Sequence, residues 1–173
     1  LNYQRESNKS INNKTEESII MNNKEKYTEL FTELMVKGYY DPSASYAGKN
    51  VAILDLLQSG SEIVGNFYFM VNGKLFLINI EPRVKFVTII CSTQDFSGNK
   101  QLKENVIGYL SSRCSFPEVC FLDDEESKSI LFKYYMFTPF YTEQVMSAIE
   151  WMDVTISELI VMYHKVLQEI ANK

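Results

Sequence analysis

Histidine and tryptophan each occur once in these 173 residues, there are three cysteines, and glycine and proline number only seven and four. Each shortage removes a class of protein. A typical zinc site needs several histidines or paired cysteines, whereas Cys91, Cys114 and Cys120 show no CxxC spacing. Gly60, Gly65 and Gly73 form neither GxGxxG nor a P-loop, so neither familiar nucleotide cradle is present. Apolar runs reach only about six residues, far below the roughly 20 that cross a bilayer. No basic stretch followed by an apolar one opens the chain, so a secretory leader is not expected. Nothing announces oxidising conditions, so the cysteines read as buried reduced thiols and the expected location is the cytoplasm.

Positive charge is short as well. Seventeen Lys and Arg stand against 22 Asp and Glu, for a formal charge of −5 and a pI near 5.0. The cations are scattered, with local enrichment only around Lys9/Lys14 and Lys24/Lys26. Releasing counterions from a phosphate backbone requires clustered cations, so nucleic acid is not an expected partner, and neither is an anionic membrane surface. Protein partners stay open.

What the chain has in quantity is apolar and aromatic side chains, 46% and 13% of its residues, including 11 Tyr and 11 Phe. That composition and length predict one globular domain. Residues 1–22 are polar and Asn-rich without a sustained apolar period, and read as a flexible tail before a domain over 23–173. Tyr27, Leu30, Phe31, Leu34 and Met35 recur at helical spacing, with Gly38 as the stop. Residues 51–58 fit either a short strand or one to two helical turns. Strands are expected at Ile63–Val71, Lys74–Ile80 and Val84–Ser92, the first two joined by the strong hairpin signal Asn72-Gly73. Leu102, Val106, Tyr109 and Leu110 mark a helix ending near Arg113. Two more strands, Val119–Asp123 and Ile130–Phe137, flank the acidic turn at residues 123–127. Thr138-Pro139 then reads as a cap and first helical residue of a helix running to about Ala171. The expected fold is α+β: an antiparallel sheet of about five strands with helices on one face, ordered helix-βββ-helix-ββ-helix and ending in a long C-terminal helix.

Val145, Ile149, Met152, Ile156, Leu159, Tyr163, Val166 and Ile170 form a heptad-like seam along that last helix. It admits two readings. The seam either covers the sheet, or part of it meets another chain as in a homodimer. A helix of some thirty residues spans about 45 Å, longer than a typical strand of about 17–20 Å.

The hairpin IVGNFYFMVNGKLFLINI at 63–80, the strand VKFVTIICS at 84–92, LKENVIGYLSSR at 102–113, VCFLDDEESKSILFKYYMF at 119–137 and the helix after TPF follow a recognisable order. In these elements the chain resembles the YbjN family, whose fold is like that of type III secretion chaperones. The resemblance covers about two-thirds of the chain and rests on element order; the tail and residues 41–62 depart from it. It implies a non-enzymatic, commonly dimeric module that binds or regulates other proteins. It carries no catalytic residues over.

Candidate chemistry in the residues themselves is thin. His164 sits in an apolar-rich helix with no GxSxG serine anywhere, and reads as a partly exposed helical histidine rather than a base. The carboxylates at 123–126 lack the ligand spacing of a calcium loop and read as a solvated turn. No catalytic residue, metal or cofactor is therefore expected. The densest unexplained feature is Tyr134, Tyr135, Met136 and Phe137, followed by Phe140 and Tyr141, with Trp151 one element on. These seven are the candidate partner surface. The sequence predicts a protein-binding module, chaperone-like or regulatory, that buries an apolar partner segment or adds a partner strand to an open sheet edge. The alternative is a small-molecule binding domain with a pocket between sheet and helices.

Overall fold

The computed structural model of the chain describes residues 24–81, 83–84, 86–93, 104–105, 108–109, 112, 118–123 and 128–171. The expected tail, the acidic turn and Cys114 lie outside the described residues, as does most of the expected helix ending near Arg113.

Tyr27, Leu30, Phe31 and Leu34 share one face of the first helix, α1 (residues 24–36), and all four are buried. The helix stops where the sequence says it should. Gly38 takes φ +73°, its N–H bonds to Met35 O, and Tyr39 N–H reaches back to Leu34 O, which together satisfy the last carbonyls of the helix. A 3-10 turn (Ala47–Asn50) leads into α2 (Val51–Ser59), which ends at Gly60 with φ +76°. The ambiguous segment is therefore helix.

Five strands follow: β1 (Gly65–Val71), β2 (Lys74–Ile80), β3 (Phe86–Thr93), β4 (Glu118–Asp123) and β5 (Lys128–Phe137). All pairs are antiparallel, in the order β1-β2-β3-β5-β4. Asn72 and Gly73 take φ +48° and +78°, the left-handed pair that a two-residue hairpin requires. Residues 104–105, 108–109 and 112 are helical and exposed.

Alternation decides which side of the sheet is core. Phe67, Ile78, Ile89 and Tyr134 lie opposite one another in a row across β1, β2, β3 and β5. Phe31 of α1 stacks on Phe67 at one end of that row, ring centroids 3.9 Å apart and 9° from parallel. At the other end Trp151, from the last helix, packs edge-on against Tyr134 at 6.1 Å.

That helix, α3 (Thr142–Ala171), begins three residues after Pro139 rather than at it. The Thr138-Pro139 bond is cis, and the bend it occupies turns Phe140 inward against Tyr27, at 5.1 Å between rings. Gln144 and Val145 N–H then bond to Tyr141 O to open the helix. Along the seam, Val145, Ile149, Met152, Ile156, Leu159 and Tyr163 are buried in the chain's own core, and Val166 is half-buried. The buried part, Val145 to Tyr163, covers the sheet, and the side chain of Ile170 at the end of the seam lies outside the described residues.

α1 and α3 lie on the core face, whereas α2 and the 3-10 turn flank the β1 edge. Asn50, fully buried, accepts from Tyr68 N–H at 2.7 Å through Oδ1 and donates to Tyr68 O at 2.8 Å through Nδ2. Tyr39 O accepts from Met70 N–H at 2.8 Å. The side chain of Asn50 thus imitates a neighbouring strand, and no sixth strand can lie where it sits.

Candidate functional site

The seven aromatic and methionine residues singled out in the sequence do not form one surface. Strand alternation divides them: Tyr134 and Met136 point to the core face of β5, Tyr135 and Phe137 to the opposite one. Tyr135 is 42% exposed and packs edge-on against Phe86 at 5.7 Å, while Phe137 is the most exposed large apolar residue of the described chain. Phe140 is fully interior and drops out as a contact residue. Tyr141 is exposed beside α1, with the Lys26 ammonium 5.6 Å from its ring centre. Trp151 and Met152 take opposite roles, as adjacent positions about 100° apart on a helix must; Met152 is buried and Trp151 is 44% exposed.

Three of the seven do meet. Tyr134, Met136 and Trp151 line an open groove of about 550 Å³ between β5 and α3, completed by Glu143, Gln144, Ser147 and Ala148 of the helix. Its walls are set by regular structure: β5 supplies alternate residues from one face, and α3 supplies positions 144, 147, 148 and 151 at helical spacing. The small residues Ser147 and Ala148 keep the groove open between the larger side chains.

On its other side, the first half of α3 forms a second groove with α1, of about 350 Å³, lined by Glu29, Glu33, Lys37, Thr142, Glu143, Met146, Ser147 and Glu150. Glu143 and Ser147 belong to both grooves, so the two run along either flank of one exposed helical ridge. Lys37 donates to Glu150 at 3.0 Å, and this hydrogen bond holds the lysine charged beyond its ordinary range. The remaining carboxylates form no ion pair among the described residues.

Further along α3, Asp153 is 7% exposed and accepts from Lys74 Nζ at 2.6 Å and Asn72 Nδ2 at 2.7 Å. This clamp holds the β1–β2 hairpin tip to the middle of the helix. It also fixes Trp151, since residues two apart are about 200° apart around the axis and face away from each other. Sequence reading missed Asp153, because one acidic residue in an otherwise apolar helix carries no local signal of its partners 79 and 81 residues earlier.

Other groups offer little chemistry. Cys91 is buried at 0% exposure, and burial pushes its thiol up to about 12, away from nucleophilic reactivity. His164 is exposed on α3, its ring 5.7 Å from that of Tyr163. Among the described residues no cluster of three His, Cys, Asp or Glu could hold a metal ion, and no helix is long and apolar enough to cross a membrane. The recess between α1 and the ends of β2 and β3, lined by Tyr27, Ile63, Ile80 and Phe86 among others, measures only about 60 Å³. Compared with models of protein families and with curated proteins, the chain matches none.

Proposed function

We propose that the chain is a non-enzymatic protein-binding module of the YbjN or type III secretion chaperone-like kind, working in the cytoplasm. Its partner surface is the β5–α3 groove. One observation carries this reading: the single tryptophan of the chain stands 44% exposed over a groove that it shares with Tyr134 and Met136. An exposed tryptophan beside half-buried tyrosine and methionine side chains at a groove is a composition that protein interfaces enrich. An apolar partner segment laid along α3 would bury Trp151 and Met136 together.

Two features bear on the other readings. Strand addition at β1 is opposed by Asn50 and Tyr39, which already occupy the outward amides of Tyr68 and Met70. A small-molecule site between sheet and helices is the second reading: a hollow of about 590 Å³, lined by Tyr46, Lys49, Met70, Lys74, Leu75 and Ile160 among others, falls within the roughly 300–1,000 Å³ of ligand sites.

The test is selection from a displayed random-peptide library on the native chain and on the folded Met136→Ala, Trp151→Ala variant. Peptides enriched on the native chain should carry apolar anchors and lose binding to the variant. Equal enrichment on both proteins would exclude the groove as the partner surface.

A further inference from the structure

The α1–α3 groove, which adjoins the aromatic one, carries charge that the fold leaves unneutralised. Glu25, Glu29 and Glu33 follow one another at intervals of four along α1, so their carboxylates share one face and repel. Glu143 of α3 closes the same groove from the other side. The one lysine there, Lys37, is committed to Glu150 at 3.0 Å. Lys37 also attracts Glu33, and Glu143 lies in the first turn of α3 where the helix dipole favours an acid, yet four carboxylates against one lysine leave the groove net negative.

A second observation points the same way. Thr142 also lines this groove, yet it is 7% exposed, and its Oγ1 has no hydrogen-bond partner among the described residues. Buried hydroxyls are ordinarily satisfied, because an unmade hydrogen bond leaves the desolvation cost uncompensated. Here a hydroxyl with acceptor capacity lies at the floor of an acidic groove.

We infer that this groove receives the lysine or arginine side chains of the partner segment whose apolar anchors lie against Trp151. The inference rests on the protein-binding reading of the neighbouring groove and specifies its partner: a basic segment with apolar anchors, rather than a neutral or acidic one. The shared ridge of Glu143 and Ser147 makes the two grooves continuous around one helix, so one short segment can place an apolar residue on one flank and a cation on the other. Charge complementarity sets specificity: a groove lined by four carboxylates and one lysine favours a basic segment and repels an acidic one.

The test uses Trp151 emission, the only indole signal in the chain, with three synthetic peptides. Each carries the same leucine and phenylalanine anchors, spaced by lysines, serines or glutamates. The lysine peptide should bind at least about ten-fold more tightly than the serine peptide, and the glutamate peptide least. The variant E29Q/E33Q should remove most of that advantage while leaving the serine peptide unchanged, and Thr142→Val should weaken the lysine peptide by about five-fold. A control, D55N/E62Q, makes the same change in net charge elsewhere and should leave all three affinities as they are. Equal loss in the control would mean that net charge alone attracts the peptide, and would overturn the inference. Equal binding of the lysine and serine peptides would also overturn it while leaving the aromatic groove standing. If no peptide moves the Trp151 emission, both readings fall.

Discussion

Two carboxylate sites lie ten residues apart on α3, about 15 Å along its axis, and the chain treats them differently. Asp153 is sealed from water and holds Lys74 at 2.6 Å and Asn72 at 2.7 Å. Glu143 is exposed and shares its groove with Glu29 and Glu33, while the lysine of that groove is paired with Glu150. In the first site every charge has its counter-charge within the chain, so its purpose is structural: it fixes the helix on the hairpin. In the second, four carboxylates face a single lysine, so the charge is only partly answered within the chain and the repulsion along α1 opposes folding slightly. Helices retain such a stripe at the expense of stability, which fits a surface completed by something else.

The contrast can be broken at its strong end first. Removing the Asp153 carboxylate leaves the half-buried Lys74 ammonium unpaired, and Asp153→Leu should lower unfolding free energy by about 2–3 kcal/mol in a denaturant titration. Replacing the pair together, Lys74→Met with Asp153→Leu, should recover most of that loss, because no charge is then left stranded. If the double variant is as unstable as the single one, the clamp is not an ion pair in energetic terms.

Next in size is the β1 edge. Asn50→Ala leaves the Tyr68 N–H and C=O without their partner, and should cost about 1–3 kcal/mol. It should also open an edge strand to pairing with other chains, so concentration-dependent association by light scattering should rise. Unchanged stability and association would show that Asn50 is not what closes this edge.

The pH dependence of the core is smaller and has a definite sign. Burial raises Cys91 from its ordinary 9.0 to about 12. Below pH 9 the thiol is protonated in both states and contributes no slope. Between pH 9 and about 12 the unfolded chain loses this proton while the folded chain keeps it. Stability should therefore fall with rising pH across that window, by about 1.4 kcal/mol per unit for this group. Cys91→Val should remove that part of the slope in denaturant titrations at successive pH values. An unchanged slope would assign the alkaline loss to other groups, of which Tyr27, also raised by burial, is the first candidate.

At the weak end, Glu29→Gln should raise stability by a few tenths of a kcal/mol, since it relieves repulsion from Glu25 and Glu33. Its sign is what matters. A destabilised Glu29→Gln would mean that the carboxylate serves the fold after all, and the difference between the two sites of α3 would disappear.

The sequence disclosed those features whose physical cause is local. The Asn72-Gly73 hairpin, the Gly38 stop and the alternation of Phe67 with Phe69 each follow from a few adjacent residues, and each is present. The 51–58 segment was not decidable locally; it is helix, and Asn50 just before it reaches a strand edge 18 residues later, a contact that no neighbouring residue announces. The proline at 139 suggested a helix start, whereas the inward turn of Phe140 delays it to Thr142. The candidate surface failed in the same way: Tyr134 to Tyr141 look continuous in sequence, but the strand sends alternate residues to opposite faces and Phe140 is taken by Tyr27. Tyr134, Met136 and Trp151 remain together because they come from two elements facing the same side, a juxtaposition set by the fold rather than by spacing.

Chemical-shift mapping with the tightest library peptide tests the central claim most directly, since it reports the contact surface residue by residue. The largest changes should fall on Tyr134, Met136, Ser147 and the Trp151 indole, with Asn72 and Asn50 unmoved. Changes concentrated instead on Phe86, Tyr135 and Phe137 would place the partner on the opposite face of the sheet and contradict the account.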